Sequence, residues 1–481
     1  MVTDLITMTS AVGFRSERGP ILISLMVTTG LVAIDATVLA TAVPTIVNDL
    51  GDFALFPWLF SVYLLAQAVT VPIYAKLSDT FGRKPIILVG IGLFLLGSIL
   101  CGFAWSMPAL IIFRAVQGLG AGAVQPMSIT IAGDIYTVAE RAKAQGYLAS
   151  VWAVSSVVGP TLGGVFSQLD IWRGIFFVNI PLCLVAGWML VRSFHETIEK
   201  REHKIDFVGA TLLAVSMTLL ILAVLQGGVS WAWDSWQSVG SFVVGGVLLA
   251  AFVFVQTRAT EPILPLWVFS RRLLVTTTLI ALGVGAMLIG LTSYVPTYLE
   301  GSLDVPPLAA GLALAALTIG WPIAATFSGR FYLRIGFKRT ALIGLSLALV
   351  GTIVLAVTAA TPSITIVAIA CFIIGLGMGL VATPTLIAAQ ASVEWNERGV
   401  VTGTNQFARA IGSALGVAIF GAIANAIFGA GDADSLPPAT IAAGGGAVFI
   451  AVSVVAVVTV AAGVLMPATP VARTGSVPAA A

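Results

Sequence analysis

The chain has 481 residues, of which 58% are hydrophobic and only 9% are charged. A soluble globular domain carries about 25% charged residues, so the composition excludes a soluble globule and predicts a polytopic membrane protein. The formal net charge of +2 is small and spread over loops, which excludes nucleic acid as a partner bound through a basic surface.

Fourteen apolar runs of membrane-spanning length follow one another along the chain, so the predicted fold is all-α. Each run has about 18–25 residues and is separated from the next by polar residues, Pro or Gly. The first run is too long for a secretory signal and is predicted to stay uncleaved. The predicted helix centres lie near Ala33, Gln67, Phe94, Gly120, Ala153, Ala186, Val215, Gly245, Gly285, Leu317, Leu347, Gly375, Leu415 and Ser453.

Basic residues are concentrated in alternate loops between the predicted helices. The other loops hold only Arg173, beside several aspartates. By the positive-inside rule, both termini are predicted to be cytoplasmic, and the protein is predicted to be a multi-pass protein of the plasma (inner) membrane. The basic residues assigned to cytoplasmic loops are Arg15, Arg18, Lys76, Arg83, Lys84, Arg141, Lys143, Lys200, Arg201, Lys204, Arg258, Arg271, Arg272, Arg330, Arg334, Lys338, Arg339 and Arg398.

The two halves of the chain repeat each other at a spacing near 257 residues. Gly118–Gly122 matches Gly375–Gly379, and the Glu140-Arg141 pair matches Glu397-Arg398. The repeat predicts two six-helix pseudo-symmetric bundles, with the seventh and eighth helices inserted between them; such paired bundles are typical of transporters. The predicted domains are residues 1–193 (first bundle), 194–272 (linker with two inserted helices), 273–466 (second bundle) and 467–481 (cytoplasmic tail).

Five segments resemble motifs of the fourteen-helix drug:proton antiporter branch of the major facilitator superfamily. They occur in the family's order and cover nearly the whole chain. In the loop motif, Ala75 stands where the family has a leading Gly. The segments are Ile34–Val38 with Pro44 (first helix), Lys76–Lys84 (loop), Arg114–Gly120 (fourth helix), Gly159–Gly164 (fifth-helix antiporter motif) and Trp172–Pro181 (sixth helix).

The resemblance implies an antiporter that exports amphipathic, often cationic, drugs or toxic compounds by alternating access. A dedicated exporter of one metabolite, lipid or peptide remains an alternative, and a non-transporting membrane sensor is a further one. The chain lacks a nucleophile–base constellation and a phosphate-binding loop, so we expect no enzyme activity and no use of ATP. The resemblance implies the proton gradient as energy source, with no cofactor. The expected partners are small amphipathic substrates, protons and the lipid bilayer, and the protein is expected to be a monomer.

Two charged residues are candidates for proton coupling. Asp35 lies near the middle of the first helix, where an ionised carboxylate is costly unless it is paired, protonated or hydrated. Arg114 lies in the fourth helix at an overlapping depth and needs a partner of its own. The alternatives are an Asp35 satisfied by the hydroxyls of Thr37 or Thr41, and an Arg114 that snorkels outward. Arg409, in the thirteenth helix, has an open role.

The loop after the second helix is a candidate gate. Asp79 and Arg83 flank the turn at Gly82, whose missing side chain permits conformations that other residues resist. Asp79 is expected to meet a helix start in the other bundle, and Arg83 to reach Asp134. Lys76 belongs to the same motif. The alternative is a loop that only anchors positive charge on the cytoplasmic side.

The fifth helix carries the resemblance to the antiporter motif in Gly159, Pro160, Gly163 and Gly164. Gly159, Gly163 and Ser155 form a stripe of small residues, and Pro160 is expected to bend the helix. Such a stripe permits either sliding or simple close packing, and the sequence supports both readings equally.

Five polar or aromatic residues are candidates for the lining of a substrate cavity: Tyr63, Gln67, Trp152, Tyr294 and Asn405. Aromatic rings can stack on flat or cationic compounds. The alternative for the aromatic residues is a place in the core or in the interfacial belt. The three cysteines lie within apolar runs without metal-ligand spacing, so no metal site is predicted.

Overall fold

The computed structural model describes residues 12–52, 55, 58–196, 206–227, 231–259, 262–428 and 437–468. The helices are α1 (Gly19–Leu50), α2 (Trp58–Phe81), α3 (Arg83–Gly102), α4 (Met107–Ile135), α5 (Val138–Gln168), α6 (Gly174–Phe177), α7 (Asn179–Ser193), α8 (Phe207–Gln226), α9 (Trp236–Gln256), α10 (Arg272–Leu303), α11 (Pro307–Ile335), α12 (Phe337–Thr358), α13 (Ile364–Ala391), α14 (Arg398–Phe428) and α15 (Pro438–Leu465). The predicted loop charges Lys200, Arg201, Lys204, Asp432 and Asp434, and residues 469–481 of the predicted tail, lie outside the described residues.

Fourteen segments of the described chain are long and apolar enough to cross a membrane, which confirms the predicted number. The sixth is formed by α6 and α7 in succession, from Gly174 to Ser193. Polar caps define several helix starts: the Ser106 hydroxyl accepts from an amide of α4, and Thr137 and Glu140 form a capping box on α5. The chain is an all-α polytopic membrane protein.

Two bundles of the same design confirm the predicted duplication. The first bundle contains α1–α7 and the second contains α10–α15. The packed pairs α1–α5, α2–α4 and α3–α4 have the counterparts α10–α14, α11–α13 and α12–α13. Buried apolar side chains form the core of each bundle, with Phe94 and Met127 in the first and Met287 and Phe449 in the second.

The bundles meet along two seams, α2 against α14 and α5 against α11. Glycines make the contacts close: Gly403 packs on Ala75, Gly146 on Thr326 and Gly329 on Ala142. These contacts all lie toward the end of the molecule at which α2 and α11 end and α14 begins. We call it the basic end, and we call the other end, which carries Asp49, Asp170 and Asp304, the acidic end.

At the acidic end, the single basic residue predicted there is paired. Nη1 of Arg173 lies 2.7 Å from Oδ2 of Asp49, and Nε1 of Trp172 donates to the same oxygen over 3.0 Å. These bonds join the last turn of α1 to the segment that enters α6. They hold two neighbouring spans of the first bundle together.

The inserted helices α8 and α9 form a hairpin beside the bundles. Side chains of α8, including Leu213 and Met217, share one apolar cluster with Leu65 and Val69 of α2 and Phe407 of α14. The hairpin therefore covers the α2–α14 seam and touches both bundles.

Candidate functional site

A buried ion pair lies inside the first bundle. Nη1 of Arg114 is 2.6 Å from Oδ2 of Asp35, and the two side chains are 2% and 1% exposed. Asp35 lies near the middle of α1, about 23 Å from either helix end at about 1.5 Å per residue. Isolated charges at that depth are expensive, and the contact explains how both are retained.

Three further polar side chains surround the carboxylate. The amide nitrogen of Gln117 donates to Asp35 over 2.8 Å and to the Ser98 hydroxyl over 2.8 Å, while its amide oxygen accepts from Arg114 over 2.7 Å. The amide of Asn179 donates to the same carboxylate over 3.2 Å. Asp35 thus accepts from three donors, which satisfy the hydrogen-bonding capacity of a buried carboxylate.

Arg114 has two further partners, both on α2. Its Nε donates to the backbone carbonyl of Leu59 over 3.2 Å, and its guanidinium carbon lies 4.2 Å from the centre of the Tyr63 ring. Tyr63 is 2% exposed, and its place in a cavity lining stays a prediction. The ring is buried because it packs under the guanidinium. The same contacts show that Arg114 does not snorkel outward.

Gln117 and Asn179 were not predicted as site residues, although signals for both exist in the sequence. Gln117 follows Arg114 by three residues and therefore shares its helix face. Asn179 lies within the Trp172–Pro181 segment that resembles the family's sixth-helix motif. An uncharged amide in an apolar helix is a weaker signal than a charge, because an amide finds hydrogen-bond partners more readily than a buried charge finds a counter-charge.

A second cluster joins the bundles at the basic end. The carboxylate of Asp79 accepts from the backbone amides of Gly399 over 2.9 Å and Val400 over 2.7 Å, in the first turn of α14. Nη2 of Arg83 also lies 2.8 Å from Asp79. A carboxylate at a helix N-terminus satisfies unpaired N–H groups and is favoured by the helix dipole. The structure thus places Asp79 against a helix start of the other bundle, as the sequence indicates.

Arg83 extends this cluster to Asp134 and to the second bundle. Its Nε lies 3.0 Å from Oδ2 of Asp134, whose other oxygen accepts from Arg398 over 3.0 Å. Its Nη2 donates to the Trp395 carbonyl over 2.5 Å, and its guanidinium carbon lies 3.7 Å from the centre of that indole. Asp134 and Arg83 therefore each bind a residue of the second bundle, so separating the bundles here breaks several contacts together.

Two other members of the loop motif have different positions. Gly82 has φ of +94°, a left-handed conformation, and Gly336 at the equivalent turn of the second bundle has φ of +84°. Each turn therefore needs its glycine. Lys76 is half-exposed, and its ammonium group makes no hydrogen bond or ion pair with the described residues, so its predicted gating role remains a prediction.

The fifth-helix motif packs against α1, close to the ion pair. Gly159 and Gly163 face Thr37 and Thr41. The two threonine hydroxyls donate to carbonyls of α1 and α5, which shows that they do not satisfy Asp35. Gly164 faces open space. The bonds between the two helices run from Thr37 to the Ser155 carbonyl over 3.0 Å and from Thr41 to the Pro160 carbonyl over 3.3 Å.

The other candidates for the cavity lining differ in burial and in hydrogen-bond partners. Asn405 is buried, and its amide donates over 3.2 Å to a backbone carbonyl of α10; its place in the cavity lining stays a prediction. Gln67, Trp152 and Tyr294 are half-buried. The Gln67 amide donates to Gln125 over 3.3 Å. Among the described residues, no group of three or more His, Cys, Asp or Glu is arranged to hold a metal ion.

Two duplicated six-helix bundles with a polar site at mid-depth define a membrane transporter. A sequence profile of the Major Facilitator Superfamily matches residues 25–417. The chain belongs to this family, and its fourteen spans and motifs put it in the fourteen-helix drug-efflux branch.

Curated relatives extend the likeness over most of the chain. "Multidrug transporter protein MdtP" of Bacillus subtilis (strain 168) is 34% identical over 427 residues, which are 89% of this chain and 79% of that protein. "Multidrug resistance protein 3" of the same organism is 36% identical over 82% of this chain and 77% of that protein. "Efflux pump FUS6" of Gibberella fujikuroi is 32% identical over 84% of this chain and 75% of that protein.

Solved structures share the fold at low sequence identity. The human organic anion transporter MFSD10 (TETRAN) has a TM-score of 0.66 and 15% identity, over 93% of this chain and 99% of that one. A bacterial homologue of the iron transporter ferroportin has a TM-score of 0.61 and 12% identity, over 92% of this chain and 98% of that one. At this level of identity, the similarity concerns the fold alone.

Proposed function

We propose that this protein is a proton-coupled antiporter that exports amphipathic small molecules by alternating access. The observation that carries the proposal is the buried Asp35–Arg114 ion pair in the middle of the first bundle. The names of the bacterial and fungal relatives, multidrug transporters and an efflux pump, support export as the direction of transport. The resemblance adds that the compounds are often cationic, which remains a prediction.

Protonation of Asp35 would change this site strongly. A neutral carboxyl group no longer compensates the charge of Arg114, and an uncompensated buried charge costs about 3–5 kcal/mol when one partner of a pair is removed. The guanidinium must then find another partner or reach water, which requires α1 and α4 to shift. Proton binding is thereby linked to a conformational change.

Close contacts connect this shift to a seam between the bundles. Thr37, two residues after Asp35, packs on Gly159 and donates to an α5 carbonyl. Nearer the basic end of α5, Gly146 packs on Thr326 of the second bundle. A displacement of α1 relative to α5 therefore acts on a helix that forms half of the α5–α11 seam.

The contacts between the bundles define which end of the molecule is closed. The bundles are held together at the basic end by Asp79, Arg83 and Asp134. The positive-inside rule assigns this end to the cytoplasm, in a plasma (inner) membrane with cytoplasmic termini. In this arrangement the two bundles are closed at the cytoplasmic end, and the proposed mechanism has the proton reach Asp35 from outside. The proposal needs no cofactor, and a monomer contains both bundles.

Reconstituted liposomes test this function. With an imposed proton gradient, wild-type protein is expected to drive uphill movement of several unrelated amphipathic dyes and to move protons when a dye is present. Asp35→Asn keeps the size of the side chain but cannot cycle a proton, so it is expected to lose both activities. Asp170→Asn, an exposed change at the acidic end, is the matched control. Coupled transport by Asp35→Asn would refute the proposal, and transport of a single dye class would favour a dedicated exporter.

A further inference from the structure

A third mid-membrane charge lies in the second bundle, where the ion-pair mechanism does not use it. Arg409 is about 16 Å along α14 from its first residue, at about 1.5 Å per residue, and Trp321 lies midway along α11. The guanidinium carbon of Arg409 is 5.0 Å from the centre of the Trp321 ring. This depth is too great for simple snorkelling to the interface.

Arg409 and Trp321 stand on the two helices of the second bundle that pack against the first bundle. Helix α14 packs on α2, and α11 packs on α5, so the two helices flank the space between the bundles. The Arg409 backbone is fixed against α10, since its carbonyl packs on Gly285 and Ser413 donates to the Gly285 carbonyl over 3.1 Å. The guanidinium of Arg409 lies over the Trp321 ring of α11.

No carboxylate balances Arg409. Among the described residues, it makes no ion pair and no side-chain hydrogen bond, and its contact with Trp321 is its only charge-specific interaction. The other charges deep in the helices, Asp35 and Arg114, neutralise each other. Arg409 itself is half-buried, so part of its surface remains accessible. Arg409 and Trp321 thus place a positive charge, with no counter-charge among the described residues, beside an indole ring on the helices that form the seams.

We propose that this space binds amphipathic compounds that carry a carboxylate on an aromatic ring, with the carboxylate on Arg409 and the ring near Trp321. Guanidinium and carboxylate form paired, charge-assisted hydrogen bonds, and Arg can keep its stacking on an aromatic face while its edge binds an anion. A cationic compound would instead meet an unbalanced like charge in a medium of low dielectric. The proposal rests on the proposed transport function, and for the charge of the substrate it stands against the cationic preference that the family resemblance implies.

Equilibrium binding tests this preference without any proton gradient. The protein is placed in lipid nanodiscs, and the binding of three probes of similar size is measured by dialysis, with empty nanodiscs subtracted. The probes are 2-naphthoate, 2-naphthamide and 2-naphthylmethylammonium, which share one ring system and differ in charge. Wild-type protein is expected to bind the carboxylate at least about tenfold more tightly than either other probe, the effect of one hydrogen bond to a charged group.

Four variants assign the preference to this site. Arg409→Gln is expected to remove it, Arg409→Lys to keep part of it, and Trp321→Leu to weaken the binding of all three probes. Arg330→Gln is the matched control, because that arginine also stacks on a ring, at 5.1 Å from Phe327, but is exposed near the basic end. It is expected to leave the preference unchanged.

The outcomes separate this proposal from the transport function. Equal binding of the three probes by wild-type protein, or tighter binding of the ammonium probe, would overturn the proposal and needs no variant. An Arg409→Gln protein that retains the carboxylate preference, or loses affinity for all probes alike, would also overturn it. The binding preference is measured on wild-type protein and the Arg409 variants without any gradient, whereas the transport proposal is tested by Asp35→Asn under a gradient, so each proposal can fail alone.

Discussion

Replacing Asp79 by Asn is expected to open the basic end of the molecule. The carboxylate accepts from the amides of Gly399 and Val400 and pairs with Arg83. Asn keeps one acceptor oxygen and no charge, so one amide loses its partner and the other bond becomes a neutral one.

The size of the effect follows from these contacts. Hydrogen bonds to charged groups contribute about 1.5–3 kcal/mol, against about 1 kcal/mol for neutral ones. Because the remaining bond and the contact of Arg83 with Asp134 persist, we estimate a loss of about 2–4 kcal/mol from the closed state. At about 1.4 kcal/mol per tenfold, this loss shifts the ratio of closed to open molecules by about 30- to 700-fold.

Distances between spin labels report this shift directly. Labels at Lys143→Cys on α5 and Arg330→Cys on α11 stand on exposed positions of the two bundles near the basic end. The three native cysteines are buried and are replaced in the same background. The expected result is a longer distance population in Asp79→Asn and none in Asp170→Asn. An unchanged distribution in Asp79→Asn would refute the reasoning and leave the loop as a signal for orientation.

Three further experiments test the packing of α5, the stacking on Arg83 and the membrane topology. Gly159→Ala puts a methyl group 2.7 Å from Cβ of Thr37 and should reduce both transport and thermal stability. Gly164→Ala, with nothing within 4 Å of the added methyl group, should reduce neither. Equal effects of the two variants would refute the close-packing role of Gly159. Trp395→Leu removes the stacking on Arg83, worth about 1–2 kcal/mol when desolvated. It should lengthen the same label distances, but in a smaller fraction of molecules than Asp79→Asn does. Unchanged distances would show that the indole does not stabilise the closed state. In intact cells, an impermeant thiol reagent should label Asp304→Cys and not Arg334→Cys, and the reverse pattern would invert the topology.

Charge and hydropathy predict much of this architecture because each acts over a whole span. A carboxylate such as Asp35 or a guanidinium such as Arg114 is conspicuous in an apolar run, since its burial is expensive without a partner. The sequence therefore indicates both members of the pair and their depth. It does not show that Gln117 and Asn179 complete the site, because uncharged amides carry a smaller penalty and occur in helices for several reasons.

Side-chain direction is the part that the sequence does not supply. Tyr63 and Asn405 have the chemistry of cavity-lining residues, yet one packs under Arg114 and the other is fastened to α10. Trp395 lies in a short turn before α14, and only the approach of the two bundles brings it over Arg83. For Arg409 the sequence gives the depth alone. Its contact with Trp321 depends on how α10, α11 and α14 are arranged around the space between the bundles.

Proton release on substrate binding tests the central claim most directly. If a proton on Asp35 and a bound substrate exclude each other, then by linkage the addition of substrate must displace protons from the protein. Purified protein in weakly buffered solution is mixed with a transported dye, and the pH change is followed across a range of starting pH values. The account predicts proton release by wild-type protein and by Asp170→Asn, and none by Asp35→Asn although the dye still binds. Equal proton release by Asp35→Asn would contradict it and would place the exchanging proton on another group.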